Sequence, residues 1–289
     1  MKWLRRIALA LLALVVGLTL VITAVLNWRP GMDAYAAHRY SAPPASGVLT
    51  ATWFGTTALL LSDGTSAIFI DPFFTRPEGL VSLVRNRGIA PDEALIKSWL
   101  EKAGATRLDA VLVSHSHYDH GMDAGVVARM TGAKLLGSES TLNIGRGAGL
   151  PEDRLQRMPS GEPLQVGAFK ITFVESKHAG ATGGEPVGDI TAPLVPPARY
   201  LDYKQGGAYS ILVEHAQGRI LHHGSAGFVP GALKLRKADV AFLGVAIIGD
   251  LPTYLGETVD AVGAKRLVPM HWDDFTRGLS RALCQKPRR

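Results

Sequence analysis

Residues 111–123, VLVSHSHYDHGMD, place His115, His117, Asp119 and His120 within six positions, directly after a short apolar run. A continuous apolar run of this length reads as a strand covered on both faces. In α/β architectures chemistry collects in the loop that leaves the C-terminal end of such a strand. The whole chain has 9 histidines, and three of them stand here with a carboxylate between. Imidazole and carboxylate are the ligands of zinc-type sites, which take three protein ligands plus a water. Alternation turns His115 and His117 the same way, and Asp119 and His120 on the following turn are placed to face a second ion.

The surroundings of this loop alternate between strand and helix patterns. Residues 48–74, VLTATWFGTTALLLSDGTSAIFIDPFF, are β-rich, with Asp63-Gly64 as a hairpin turn. Residues 91–104 open with acidic side chains, carry helical spacing and end in Gly104. MDAGVVARMTGA reads as the next helix and KLLGS as a strand. LQVGAFKITFVESKH and AYSILVEHAQGRILHHG read as hairpins, the second turning at Gln217-Gly218. ADVAFLGVA and KRLVPMHW read as late buried strands. Residues 179–197 are rich in Gly and Pro and are expected to form a lid or substrate loop. Mixed sheets with helices outside, α/β in class, fit this order better than an all-β sandwich.

At the N-terminus, MKWLRR precedes twenty uncharged residues, 7–26. At 1.5 Å per residue they span about 30 Å, the thickness of a bilayer's hydrocarbon core. Lys2, Arg5 and Arg6 before the run keep that end cytoplasmic and send the rest outward. The expected organisation is an anchor over residues 1–29, a flexible linker over 30–47 and a catalytic domain over 48–289. A signal segment cleaved to release a secreted protein is the alternative. Of the net charge of +6, much belongs to the two ends, where Lys286, Arg288 and Arg289 join the three residues above. No basic face with interleaved aromatics stands out, so nucleic acid is not an expected partner. The single cysteine, Cys284, sits in a basic tail, which excludes an intrachain disulfide and argues against a thiol enzyme. Ser225 lies in GSAG, which is not the G-x-S-x-G nucleophile turn. Asp273-Asp274 reads as a helix cap or a solvated turn.

SHSHYDHGMD resembles the H-x-H-x-D-H signature of the metallo-β-lactamase superfamily. The stretch ending at Asp71-Pro72 is similar to that superfamily's opening strands, and the ESKHAG and LVPMHW segments to its later and final strand ends, in its order. The likeness runs from about residue 48 to 275 and is strongest to the branch of lactonases and N-acyl-phosphatidylethanolamine phospholipase D-like hydrolases. It implies a four-layer αβ/βα sandwich with metals at one edge between two sheets. It also implies that His115, His117 and His178 hold one ion and that Asp119, His120 and His271 hold another. Asp71 is then expected to orient the cluster from behind. The family's turn normally carries an Asp that bridges both ions, and Ser225 occupies that place in ILHHGSAGF. One tightly held ion, or two with the second weaker, is therefore expected, zinc by default, with iron or manganese also suited to the ligand set. His222 and His223 precede the turn, and strand alternation directs one of them, His223 being nominated, toward the site.

The expected activity is hydrolysis of an ester, lactone or phosphodiester by metal-activated hydroxide. Asp119 and His120 are the catalytic candidates, and a small or lipid-like substrate follows from the anchor and from the apolar residues 183–200. A non-catalytic metal-binding or sensor domain is the alternative that loss of the bridging Asp raises. The oligomeric state is left open.

Overall fold

The computed structural model describes residues 2–27, 47–77, 85–180, 186–273 and 275. Two compact units divide the chain, and the first holds one long helix, α1 (Lys2–Asn27). Its Lys2–Val25 portion has a mean hydropathy of 2.8 and is exposed along its length. Most of the linker, together with Cys284 and Asp274, lies outside the described residues.

The second unit is built on two six-stranded sheets. The first has the order β1 (Thr50–Trp53), β2 (Leu59–Ser62), β3 (Ala67–Ile70), β5 (Ala110–Leu112), β6 (Lys134–Gly137), β7 (Leu155–Arg157). The β2–β3 hairpin closes on Asp63, whose Oδ1 accepts both the Thr65 and Ser66 amides at 2.7 Å. From β3 onward this sheet is parallel. Its crossovers carry α2 (Glu93–Lys102), α3 (Tyr118–Gly121), α4 (Ala124–Thr131) and α5 (Glu139–Gly147). Asp92 caps α2 through the Leu95 amide, as the acidic opening of that segment suggests. The second sheet has the order β8 (Pro163–Val166), β9 (Phe169–Ser176), β11 (Ala208–His215), β12 (Gly218–His223), β13 (Val240–Gly244), β14 (Arg266–Met270). It repeats the plan of the first: antiparallel strands, then a parallel run from β12 to β14. A short ladder pairs β4 (Gly88–Ile89) with β10 (Ala198–Arg199), and α6 (Leu251–Leu255) covers the second sheet.

Alternation along the strands assigns three apolar layers. Leu59, Leu61, Ile68, Ile70, Ala110 and Leu112 face Phe169, Ile171, Phe173, Ile211 and Val213 between the sheets. Leu60, Phe69 and Val111 point the other way, onto Ile96, Leu100 and Val127 of the helices. Leu212, Leu221 and Leu243 pack outward with Tyr254 and Val262. Each such side chain, fully buried, contributes about 1.5–3 kcal/mol. The result is helices, sheet, sheet, helix: the four-layer sandwich.

Two expectations need correction. KRLVPMHW does not form a buried strand: β14 is the edge of its sheet, with Leu267 44% exposed and only Met270 buried. An apolar run reports hydrophobicity and not the number of neighbouring strands. Asp273 is neither a cap nor solvated, for it forms an ion pair with Arg76 at 2.8 Å in which both side chains are 0% exposed.

Candidate metal centre

β5 ends at Leu112, and the loop beyond it delivers His115 and His117 before the single turn of α3 brings up Asp119 and His120. β9 ends at Ser176 and delivers His178, and β14 ends at Met270 and delivers His271. All three strand ends meet at one edge of the sandwich. His115, His117 and His178 form one group and Asp119, His120 and His271 a second, with the ligand atoms of each within 4.8 Å of one another. The groups abut, since the rings of His115 and His120 lie 3.8 Å apart between centroids.

The polar atoms around the rings show what they are prepared for. His115 Nε2 is buried and has no hydrogen-bond partner among the described residues. Such an atom costs free energy unless something ligates it. The other ring nitrogens are tied back. His115 Nδ1 lies 3.3 Å from Ser114 Oγ, His117 Nε2 lies 3.2 Å from Pro186 O, and His178 Nδ1 lies 3.0 Å from Ala179 O. This is how ligating imidazoles are held in one orientation. Burial, with the neighbouring histidines, pushes His115 well below its usual range. Burial likewise lowers His117 to about 4, against the opposing pull of Asp119. Both are therefore neutral near pH 7, the form that binds a metal.

Asp71 anchors the second group. It sits at φ +48°, a left-handed conformation uncommon outside glycine. Its Oδ1 accepts the Ser114 amide at 2.6 Å. Its Oδ2 accepts Ser114 Oγ at 2.6 Å and Thr57 Oγ1 at 2.9 Å, and lies 2.9 Å from His120 Nδ1. His120 thereby presents Nε2 toward Asp119, whose Oδ2 is 3.6 Å away and also 3.2 Å from His271 Nε2. Burial alone would raise Asp71 and Asp119 and lower His120. Burial is the largest single effect at both carboxylates, yet their partners together outweigh it and hold them low, His120 with His222 and Ser114 at Asp71, and His120 with His271 and His117 at Asp119, the latter the more so. Asp119 and Asp71 in turn raise His120. Gly224 lets the end of β12 approach this carboxylate, since a Cβ there would lie 2.6 Å from Ser114 Oγ and 3.0 Å from Asp71 Oδ2.

His271 is held from below. Its amide donates to Thr56 O at 2.7 Å, and the Thr56 amide donates to Asp273 Oδ1 at 2.8 Å. The buried Arg76–Asp273 pair lies against Gly55, at φ +90°, where any Cβ would collide with both side chains. Sequence reasoning does not reach Arg76 and Asp273: 197 positions separate them, and neither lies in a motif.

Ser225 and the two histidines before it resolve differently from the expectation. Ser225 Oγ accepts the Ala179 amide at 2.8 Å, so it braces the backbone beside His178. Ile220 of β12 faces the space between the sheets, so His222 shares that face and His223 the opposite one. His222 Nε2 lies 2.8 Å from Thr57 O and 3.9 Å from Asp71 Oδ2. His223, the nominated residue, instead lies 2.7 Å from Ser210 Oγ and 2.8 Å from Gly227 O and stacks near Tyr254. His222 is the one that backs the site.

Both groups open into a cavity of about 220 Å³. Beside the ligands its walls include Tyr118, Pro186, Tyr200, Ala226, Ile247 and Phe275. Of residues 183–200, Pro186 and Tyr200 line this cavity, and Ile190 between them is bonded to α5 through Ser140 and Asn143.

The comparisons with known proteins concern the family and the fold. The sequence profile of the β-lactamase superfamily domain matches residues 67–272. The chain is 28% identical over 275 residues to a metal-dependent hydrolase of Myxococcus xanthus, covering 92% of this chain and 86% of that one. It is 26% identical over 229 residues to a metal-dependent hydrolase of Pyrobaculum islandicum, covering 77% and 84%. The fold is shared with Igni18, a metallo hydrolase of Ignicoccus hospitalis, at a TM-score of 0.52 and 19% identity over 80% of this chain and 84% of that one. The chain belongs to the metallo-β-lactamase superfamily, as a metal-dependent hydrolase of that fold.

Proposed function

We propose that the enzyme hydrolyses a small neutral ester or lactone, with zinc held by His115, His117 and His178 and a second ion held by Asp119, His120 and His271. The observation that carries this reading is the cavity: both ligand groups open into it, its other walls are largely apolar, and no Lys or Arg is among the described residues that line it. A phosphodiester would bring a negative charge to walls that offer it no cationic side chain. When bound, the metal lowers the pKa of a coordinated water toward 7 and polarises the substrate oxygen. Where only the first ion is held, Asp119 is free of a metal, and its Oδ2, ionised and set between His120 and His271 in the cavity wall, is the oxygen placed to take the proton of the attacking water. His120 keeps Asp119 in place and is itself fixed by Asp71. The helix Lys2–Val25 is read as a retained anchor that displays the body outside the cytoplasm, on the strength of its length and mean hydropathy of 2.8.

The test is zinc-loaded protein assayed against 4-nitrophenyl acetate, γ-butyrolactone and bis(4-nitrophenyl) phosphate, beside Asp119→Ala. Turnover of the ester or lactone, reduced about 100-fold or more in the variant, is expected. Preferred cleavage of the phosphodiester would reverse the substrate class, and an unchanged variant would remove Asp119 from its role.

A further inference from the structure

Positive φ in residues other than glycine occurs at six described positions, and it gathers at the metal centre. Asp71 and His271 are within it, and Thr56 supports His271. Ile247, at φ +58°, is a fourth and the least suited chemically. A β-branched side chain in the left-handed region is a true outlier where Gly or Asn would sit without strain. Such conformations persist only where the surroundings over-determine them, and they collect where the side chain serves function.

The loop that carries Ile247 is fixed at both ends. Val245 donates its amide to Met270 O at 2.9 Å, immediately before His271. Tyr254 Oη donates to Gly244 O at 2.9 Å, and the Asp250 side chain caps α6 through the Thr253 amide at 2.9 Å. Held in this way, Ile247 lines the cavity of the metal centre while remaining 55% exposed. Leu235 shares the left-handed conformation but lines no part of that cavity, so conformation alone does not distinguish the two. The distinction is an accessible apolar side chain in the wall of the cavity that the ligand groups share, where Phe275, Tyr200 and Ala246 also stand.

We infer that Ile247 is a specificity-determining residue, on which a short apolar acyl group of the substrate packs while its carbonyl lies at the metal centre. This inference rests on the ester or lactone reading above. The size of the cavity limits the chain. At about 220 Å³ the cavity is smaller than the roughly 300–1,000 Å³ of sites that take drug-sized ligands, which favours a short acyl chain over a long one.

The experiment compares kcat/KM for 4-nitrophenyl acetate, butanoate and decanoate in the wild type, Ile247→Gly and Ile247→Asn. Glycine and asparagine accept the backbone conformation, so the thermal midpoint should not fall in the glycine variant, and the asparagine variant guards against a looser loop. The wild type should prefer butanoate to acetate about tenfold and to decanoate, as two buried methylenes allow. Both variants should lose most of that preference through KM. Calorimetry with butanoate and acetate ions supplies a readout without turnover, and the wild-type preference for butanoate should shrink in the same variants. An unchanged butanoate-to-acetate ratio in both variants, or a wild type that prefers acetate, overturns the inference and leaves the hydrolase reading standing. A wild type that cleaves none of the esters and no lactone overturns both.

Discussion

The two ligand groups lie side by side, yet they are supported by different means. The rings of His115, His117 and His178 are backed by uncharged oxygens: a serine hydroxyl and the carbonyls of Pro186 and Ala179. Asp119, His120 and His271 are backed by charge, through the Asp71 carboxylate behind His120 and the Arg76–Asp273 pair beneath His271. Ser225, where the family's bridging carboxylate would stand, braces the neutral group. The first group therefore makes the lighter demand on its surroundings, because three neutral rings need only be pointed. The second must hold a carboxylate, an imidazole and their counter-charges out of water. Buried charges are stable only while each keeps its partner.

The sharpest way to break the contrast is Asp273→Asn. It removes one carboxylate from a pair whose side chains are both buried and should cost about 3–5 kcal/mol in denaturant unfolding. Elemental analysis should show the second ion lost and the first kept. Replacing both partners, with Arg76→Met and Asp273→Leu, should recover most of the stability while the second ion stays weak. Equal loss of both ions would mean that the pair supports the whole edge and not His271 alone.

Ser225→Asp is expected to move the other way. A carboxylate at that position should tighten the second ion by on the order of tenfold, read by competition with a chelator. Unchanged affinity would show that the serine position serves only the backbone beside His178.

A separate effect concerns a buried carboxylate that belongs to neither group. Burial raises Asp123 to about 7, although its Oδ2 accepts the Phe74 and Thr75 amides. The folded protein then holds a proton that the unfolded chain releases near pH 3.9. Stability contributed by this group is full at low pH and declines as pH rises through 7. Asp123→Asn should remove that decline, about 2 kcal/mol between pH 5 and 8 in denaturant midpoints, and leave the metal content as it was. A slope that survives the substitution would assign it to the charged group instead.

What could be read from the sequence was what local pattern encodes. Alternation gave the β2–β3 hairpin, and helical spacing with an acidic opening gave α2. The H-x-H-x-D-H motif set four ligand candidates side by side, whereas His178 and His271 rested on resemblance until the strand ends were seen to converge. The helix α5 does carry a faint local signal, for Ser138 caps it and Glu139 opens it. The choice between His222 and His223 depends on which face of β12 turns inward, which its partner strands decide. The Arg76–Asp273 pair left no local trace, since each half is an ordinary polar residue until the fold joins them.

The convergence of strand ends has a consequence for when the protein can act. A growing chain possesses four of the six ligand candidates once residue 120 has been made. It closes the first group only when β9 is in place and supplies His178, and the second only when the edge strand β14 docks and supplies His271. On this ligand assignment neither half of the sandwich can form the centre by itself, so each group is completed by a strand distant in sequence from the motif that begins it.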